Sequence, residues 1–179
     1  MNVRQLILGA CLIATTSAWS DAQRKPPRFP EQTDFSAEAE GAAHPVPIPD
    51  GVLTILEKDD FVRPDLQEAD PPVQTPPSSW FSAAKIHLSK SDQQDLVILG
   101  EGPLAGANVI MFWIFRNTGH GYDLVLRTGG HDLHVKRRRS NGYRDIETDS
   151  VTMMQPNSEL FRFDGRRYVL QREKTEPIK

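Results

Sequence analysis

The sequence predicts a mainly β protein. It reads as one antiparallel β domain, folded as a partial barrel or sandwich of about seven or eight strands, with one short helix ahead of it. Three observations carry this. From Trp80 onward the apolar residues recur with period two. Turn chemistry, including Asn141-Gly142 and Asp164-Gly165, punctuates the chain between those stretches. Val109 to Phe115 is apolar throughout, β-branched and aromatic, as a central strand covered on both faces must be.

Before the β region the chain divides by composition. Met1–Gln5 carries one positive charge, Leu6–Ala14 is an apolar run, and Ser20-Asp21-Ala22 offers small residues before Gln23. At about 1.5 Å per helical residue that run is too short to span a bilayer. The pattern is that of a Sec-type leader over residues 1–22, which predicts a periplasmic or secreted protein. Leu8-Gly9-Ala10-Cys11 has the form of a lipobox, so anchorage through a lipid on Cys11 is the alternative. Residues 23–49 contain Pro26, Pro27, Pro30, Pro45, Pro47 and Pro49 and few large apolar side chains, and are expected to be a disordered linker.

Residues 50–79 are expected to hold a short helix and an extended connector. Val52, Leu53, Ile55 and Leu56 share one helical face, Asp50 is placed to cap it, and Pro64 to stop it. The β domain then covers 80–172, followed by a tail at 173–179. Ile86 and Leu88, Leu96 to Leu99, Val109 to Phe115, Tyr122 to Leu126, Leu133 and Val135, Ile146 onward, Leu160 to Phe163 and Arg167 to Leu170 are its strands. Asn117–Gly121, Thr128-Gly129-Gly130 and Ser140-Asn141-Gly142 are its turns, and Gln155–Ser158 reads as a break.

The chain has 179 residues and a formal charge of −3, so no overall field draws it to nucleic acid. The charge is uneven: Glu31 to Asp70 is acidic, and the chain beyond His134 is basic, with Lys136-Arg137-Arg138-Arg139 as the extreme. Cys11 is the only cysteine, so a chain without its leader has no disulfide and depends on packing. There is no nucleophile elbow, no His-Glu-x-x-His pair and no phosphate loop. His131 and His134 stand three apart on a strand, which sends them to opposite faces instead of to one metal.

Two segments share a polar turn, an Asp and then β-branched or leucine residues: Asp92–Val97 and Asn141–Ile146. Both resemble degenerate FG-GAP/VCBS-type repeats, a family whose loop oxygens ligate Ca2+. The resemblance makes Asp95, Asn141 and Asp145 the candidate metal ligands. The other ligand positions fall on His87, Ser89, Ser91, Arg137 and Arg139, too few carboxylates for a cation that takes about six to eight oxygens. More widely, Phe112-Trp113-Ile114-Phe115-Arg116, Asn141–Ile146 and Phe163-Asp164-Gly165-Arg166-Arg167-Tyr168 resemble a signature of small exported bacterial proteins. That resemblance implies an extracytoplasmic domain and no particular activity.

These features point to an exported, non-enzymatic binding or inhibitory module. Lys136, Arg137, Arg138, Arg139 and Tyr143 are its candidate contact residues, and an acidic envelope component or protein its partner. No cofactor is implied. A Ca2+-dependent structural or adhesion-like module and a hydrolase with an unrecognised site are the alternatives.

Overall fold

The computed structural model of the chain describes residues 30–106, 108–152 and 155–175. The expected leader, Cys11 and residues 176–179 lie outside them. Among the described residues, nine strands form two antiparallel sheets. Strands β1 (Asp34–Ser36), β6 (Asp132–Ser140), β7 (Tyr143–Thr152), β8 (Gln155–Phe163) and β9 (Tyr168–Thr175) make one, in the order β1-β6-β7-β8-β9. Strands β2 (Phe81–Ile86), β3 (Asp95–Gly100), β4 (Ile110–Asn117) and β5 (Tyr122–Gly130) make the other, in sequence order. The sheets are open, with no closed barrel.

Side-chain parity sorts the four-stranded sheet onto two cores. Val97, Leu99, Phe112 and Ile114 face the other sheet, where they meet Leu133, Val135, Ile146 and Phe163. Leu96, Ile98, Trp113 and Phe115 face away, toward helices α1 (Asp50–Leu56) and α2 (Arg63–Glu68), and pack on Val52, Leu56, Val62 and Leu66. Both faces of β4 are therefore covered, as its unbroken apolar run requires. Full burial of side chains of this size is worth about 1.5–3 kcal/mol each. Between Ile114 and Phe115 the register with β5 slips, which lets Val125 and Leu126 both reach the inner core.

Several expectations are corrected. Residues 30–49 of the expected linker belong to the fold. Phe35 is buried, and β1 pairs with β6. The Val46 N–H donates to the Ala83 carbonyl at 2.9 Å and the Ala42 N–H to Ser82 Oγ at 2.9 Å, so this arm closes the outer edge of β2. Asp50 is the first residue of α1, not a side-chain cap. Pro64 starts a second helix instead of only ending the first, since its missing N–H is not needed in an opening turn. Thr128-Gly129-Gly130 is the end of β5 at a corner where the chain changes sheets. There the His131 N–H donates to the Asp149 carbonyl at 2.7 Å, and a Cβ on Gly130 would stand 3.1 Å from the Asp132 oxygen. Gln155–Ser158 is strand, because Pro156 lies outside the β8–β9 ladder, whose last pair is Asn157 with Thr175. β9 correspondingly reaches Thr175, into the expected tail.

Candidate functional site

The β6–β7 hairpin turns at Asn141 (φ 50°) and Gly142 (φ 83°), the left-handed pair that a two-residue hairpin loop requires. Just before the turn the ladder is irregular: Val135 pairs with Ile146 and Arg139 with Arg144, so Lys136, Arg137 and Arg138 face Asp145 alone. Such a bulge leaves backbone carbonyls without ladder partners. Arg144, buried between the sheets, supplies donors for them: its Nε donates to the Lys136 carbonyl at 2.8 Å and its Nη2 to the Val135 carbonyl at 2.6 Å. Its Nη1 stands 3.4 Å from Glu31 Oε2, and Glu31 Oε1 accepts the His87 N–H. The Arg144 N–H donates to the Leu88 carbonyl at 2.8 Å, which ties the hairpin to the end of β2.

The candidate contact residues separate by role. Lys136 pairs with Glu147 at 3.3 Å on the outer face of the five-stranded sheet. Arg139 is spent on the Leu88 and Gly142 carbonyls. Tyr143 stacks on Phe163 at 4.1 Å between centroids and is half-buried. Arg137 and Arg138 are exposed. Arg138 reaches Asp145 Oδ2 through Nε at 3.6 Å, and Arg162 on β8 reaches the same oxygen through its own Nε at 3.5 Å. Asp145 is fully buried beneath the two arginines and accepts no hydrogen bond among the described residues. Two guanidiniums thus stand over one carboxylate, with an excess positive charge, on a sheet face that neither helix covers. Arg162 was not singled out from the sequence, although its place between the inward Phe161 and Phe163 puts it on the outer face.

The candidate metal ligands are engaged otherwise. Asp95 Oδ2 accepts the Leu88 N–H at 2.9 Å and Oδ1 the Asn117 N–H at 2.8 Å, so this buried carboxylate fastens two turns to β3. Burial pushes its pKa up, against the two backbone N–H groups that favour the charged form. Asn141 donates to the Phe163 carbonyl at 2.7 Å, and Asp145 lies under its arginines. Ser89 and Ser91 bond each other at 2.7 Å. Both motif segments are strand-turn-strand units, but no cluster of three or more acidic, His or Cys side chains able to hold a metal occurs among the described residues. Asp145 and Glu147 share a face without acting as a pair, one held by arginines and the other by Lys136. His131 faces the Asn108 carbonyl, and His134 lies between Asp34 (2.7 Å) and Asp149 (3.2 Å).

No family model, curated protein or solved structure matches the chain. Among the described residues, no helix is long and apolar enough to cross a membrane.

Proposed function

We propose that the protein is an exported, non-enzymatic binding or inhibitory module that holds an acidic envelope component or protein against the arginine-bearing end of its open sheet. One observation carries the reading: Arg138 and Arg162 both stand over the buried Asp145, two guanidiniums to one carboxylate, which leaves an excess positive charge on this face. A buried carboxylate beneath two guanidiniums keeps them close together, and guanidiniums pair readily with carboxylate or phosphate. Arg137 beside them adds charge. The export part of the reading is supported by the leader pattern of residues 1–22.

The test is retention of the purified protein on immobilised polyglutamate and on an acidic envelope fraction, across a salt gradient. Wild type should bind and be released by salt, because exposed charge pairs are screened. Arg138→Gln with Arg162→Gln should lower retention about tenfold or more, with Arg137→Gln adding a smaller loss. Unchanged retention in a double variant that melts like wild type would overturn the reading.

A further inference from the structure

A second feature lies at the same end of the sandwich, off the open face. A cleft of about 760 Å³ opens between α1, the β4–β5 hairpin and the β8–β9 turn, lined by Ile55, Arg116, Tyr122, Leu124, Arg166 and Arg167, with Asp123 and Asp164. A cavity of that size falls in the range of small-molecule sites.

Its charges do not cancel. Asp123 is committed to Arg116 at 2.6 Å. Asp164 spends Oδ1 on the turn, accepting the N–H groups of Arg166 (2.7 Å) and Arg167 (2.8 Å). Those two hydrogen bonds hold the Asp164 carboxyl below the usual range and fix the turn that presents both arginines. The Arg166 and Arg167 guanidiniums form no ion pair among the described residues.

The wall behind them is built in. The Arg116 guanidinium lies over the Phe163 ring at 5.8 Å, and its Nε is buried without a hydrogen-bond partner. The remaining lining is apolar or amphipathic: Ile55 from α1, and Tyr122 and Leu124 from β5. Three guanidiniums line a concavity that holds two carboxylates, Asp123 paired with Arg116 and Asp164 held by its turn, so one positive charge is left in excess beside Ile55, Tyr122 and Leu124. That combination matches an anion attached to a partly non-polar body.

We propose that this cleft binds a small amphipathic ligand carrying a phosphate-type anion, with the charged group on Arg166 and Arg167 beside the Arg116–Asp123 pair, and the apolar part on Ile55, Tyr122 and Leu124. Guanidinium forks suit tetrahedral oxyanions because they donate in pairs. The site is separate from the Arg138–Arg162 platform, so either can fail alone.

The experiment is calorimetric titration of the purified protein with phenyl phosphate, inorganic phosphate and neutral phenol. The expected result is one saturable site per chain for phenyl phosphate, at least about tenfold tighter than for inorganic phosphate, and no saturable binding of phenol. Arg166→Ala with Arg167→Ala should abolish that binding, Arg166→Lys with Arg167→Lys should weaken it, and Arg138→Gln with Arg162→Gln should leave it intact. Both arginines of the turn are exposed, so the melting temperature should not move. Absence of saturable phenyl phosphate binding, equal affinity for phenol, or binding that survives the double alanine change would overturn the proposal. Wild-type protein that binds phenyl phosphate but is not retained on polyglutamate would count against the partner reading alone.

Discussion

The two sheets have outer faces of opposite character. On the four-stranded sheet that face is Phe81, Ala83, Leu96, Ile98, Trp113 and Phe115, and two short helices are laid over it. On the five-stranded sheet it is a lattice of charge: His134 between Asp34 and Asp149, Lys136 with Glu147, and Arg138 and Arg162 with Asp145. The first face contributes to folding by removing apolar surface from water. The second contributes little of that, and its exposed pairs, such as Lys136 with Glu147, are worth roughly 0–1 kcal/mol each. One face is therefore committed to stability, and the other has side chains to spare for a partner.

The largest break in that contrast comes from the covered face. Trp113→Ala should cost about 3–5 kcal/mol by urea denaturation, because its fully buried indole packs edge-on to Phe81 and its removal leaves a cavity. A loss below 1 kcal/mol would mean that the helices do not seal this face. Arg144→Ala comes next, at about 2–4 kcal/mol, since it strands two bulge carbonyls and unpairs Glu31. Amide exchange should quicken in β6 and β7 before β3 and β4, and uniform quickening would contradict the local role. At the other extreme, Lys136→Ala with Glu147→Ala should cost about 0.2–1 kcal/mol. A cost above 2 kcal/mol would show the charged face to be a stability element after all.

Acidity separates the carboxylates by sign. A hydrogen bond with His134 is the largest of the effects that hold the Asp34 carboxyl below its ordinary 3.8. Its contribution is present above that value and is lost as pH falls through the lowered one. Burial raises Asp95, so its contribution is fullest below 3.8 and is lost as pH rises through the raised value. Asp34→Ala should therefore lower the melting temperature near neutrality and converge with wild type in strong acid. A constant offset across the acid range would remove Asp34 and His134 from the account.

The contrast between the faces was legible in the sequence, because period two and unbroken apolar runs report directly on which faces are covered. The Val109–Phe115 run and the Asn141-Gly142 and Asp164-Gly165 turns were readable for that reason. β1 was not. Its three residues hold one large apolar side chain, Phe35, among prolines, and its partner strand lies about a hundred residues away, beyond any local pattern. The basic run was visible as charge. What it does was not, since Asp145, Glu147 and Arg162 come to it from other strands and Leu88 from the segment between β2 and β3.

Strictly alternating hairpins can slide by two residues and keep every side chain on its proper face. The β6–β7 hairpin is denied that freedom. A slipped pairing would carry the Arg144 fork past the Val135 and Lys136 carbonyls and lift Asp145 out from under Arg138. The irregular stretch thus works as a keyed joint: it rejects near-miss assemblies that hydrophobic pattern alone would accept.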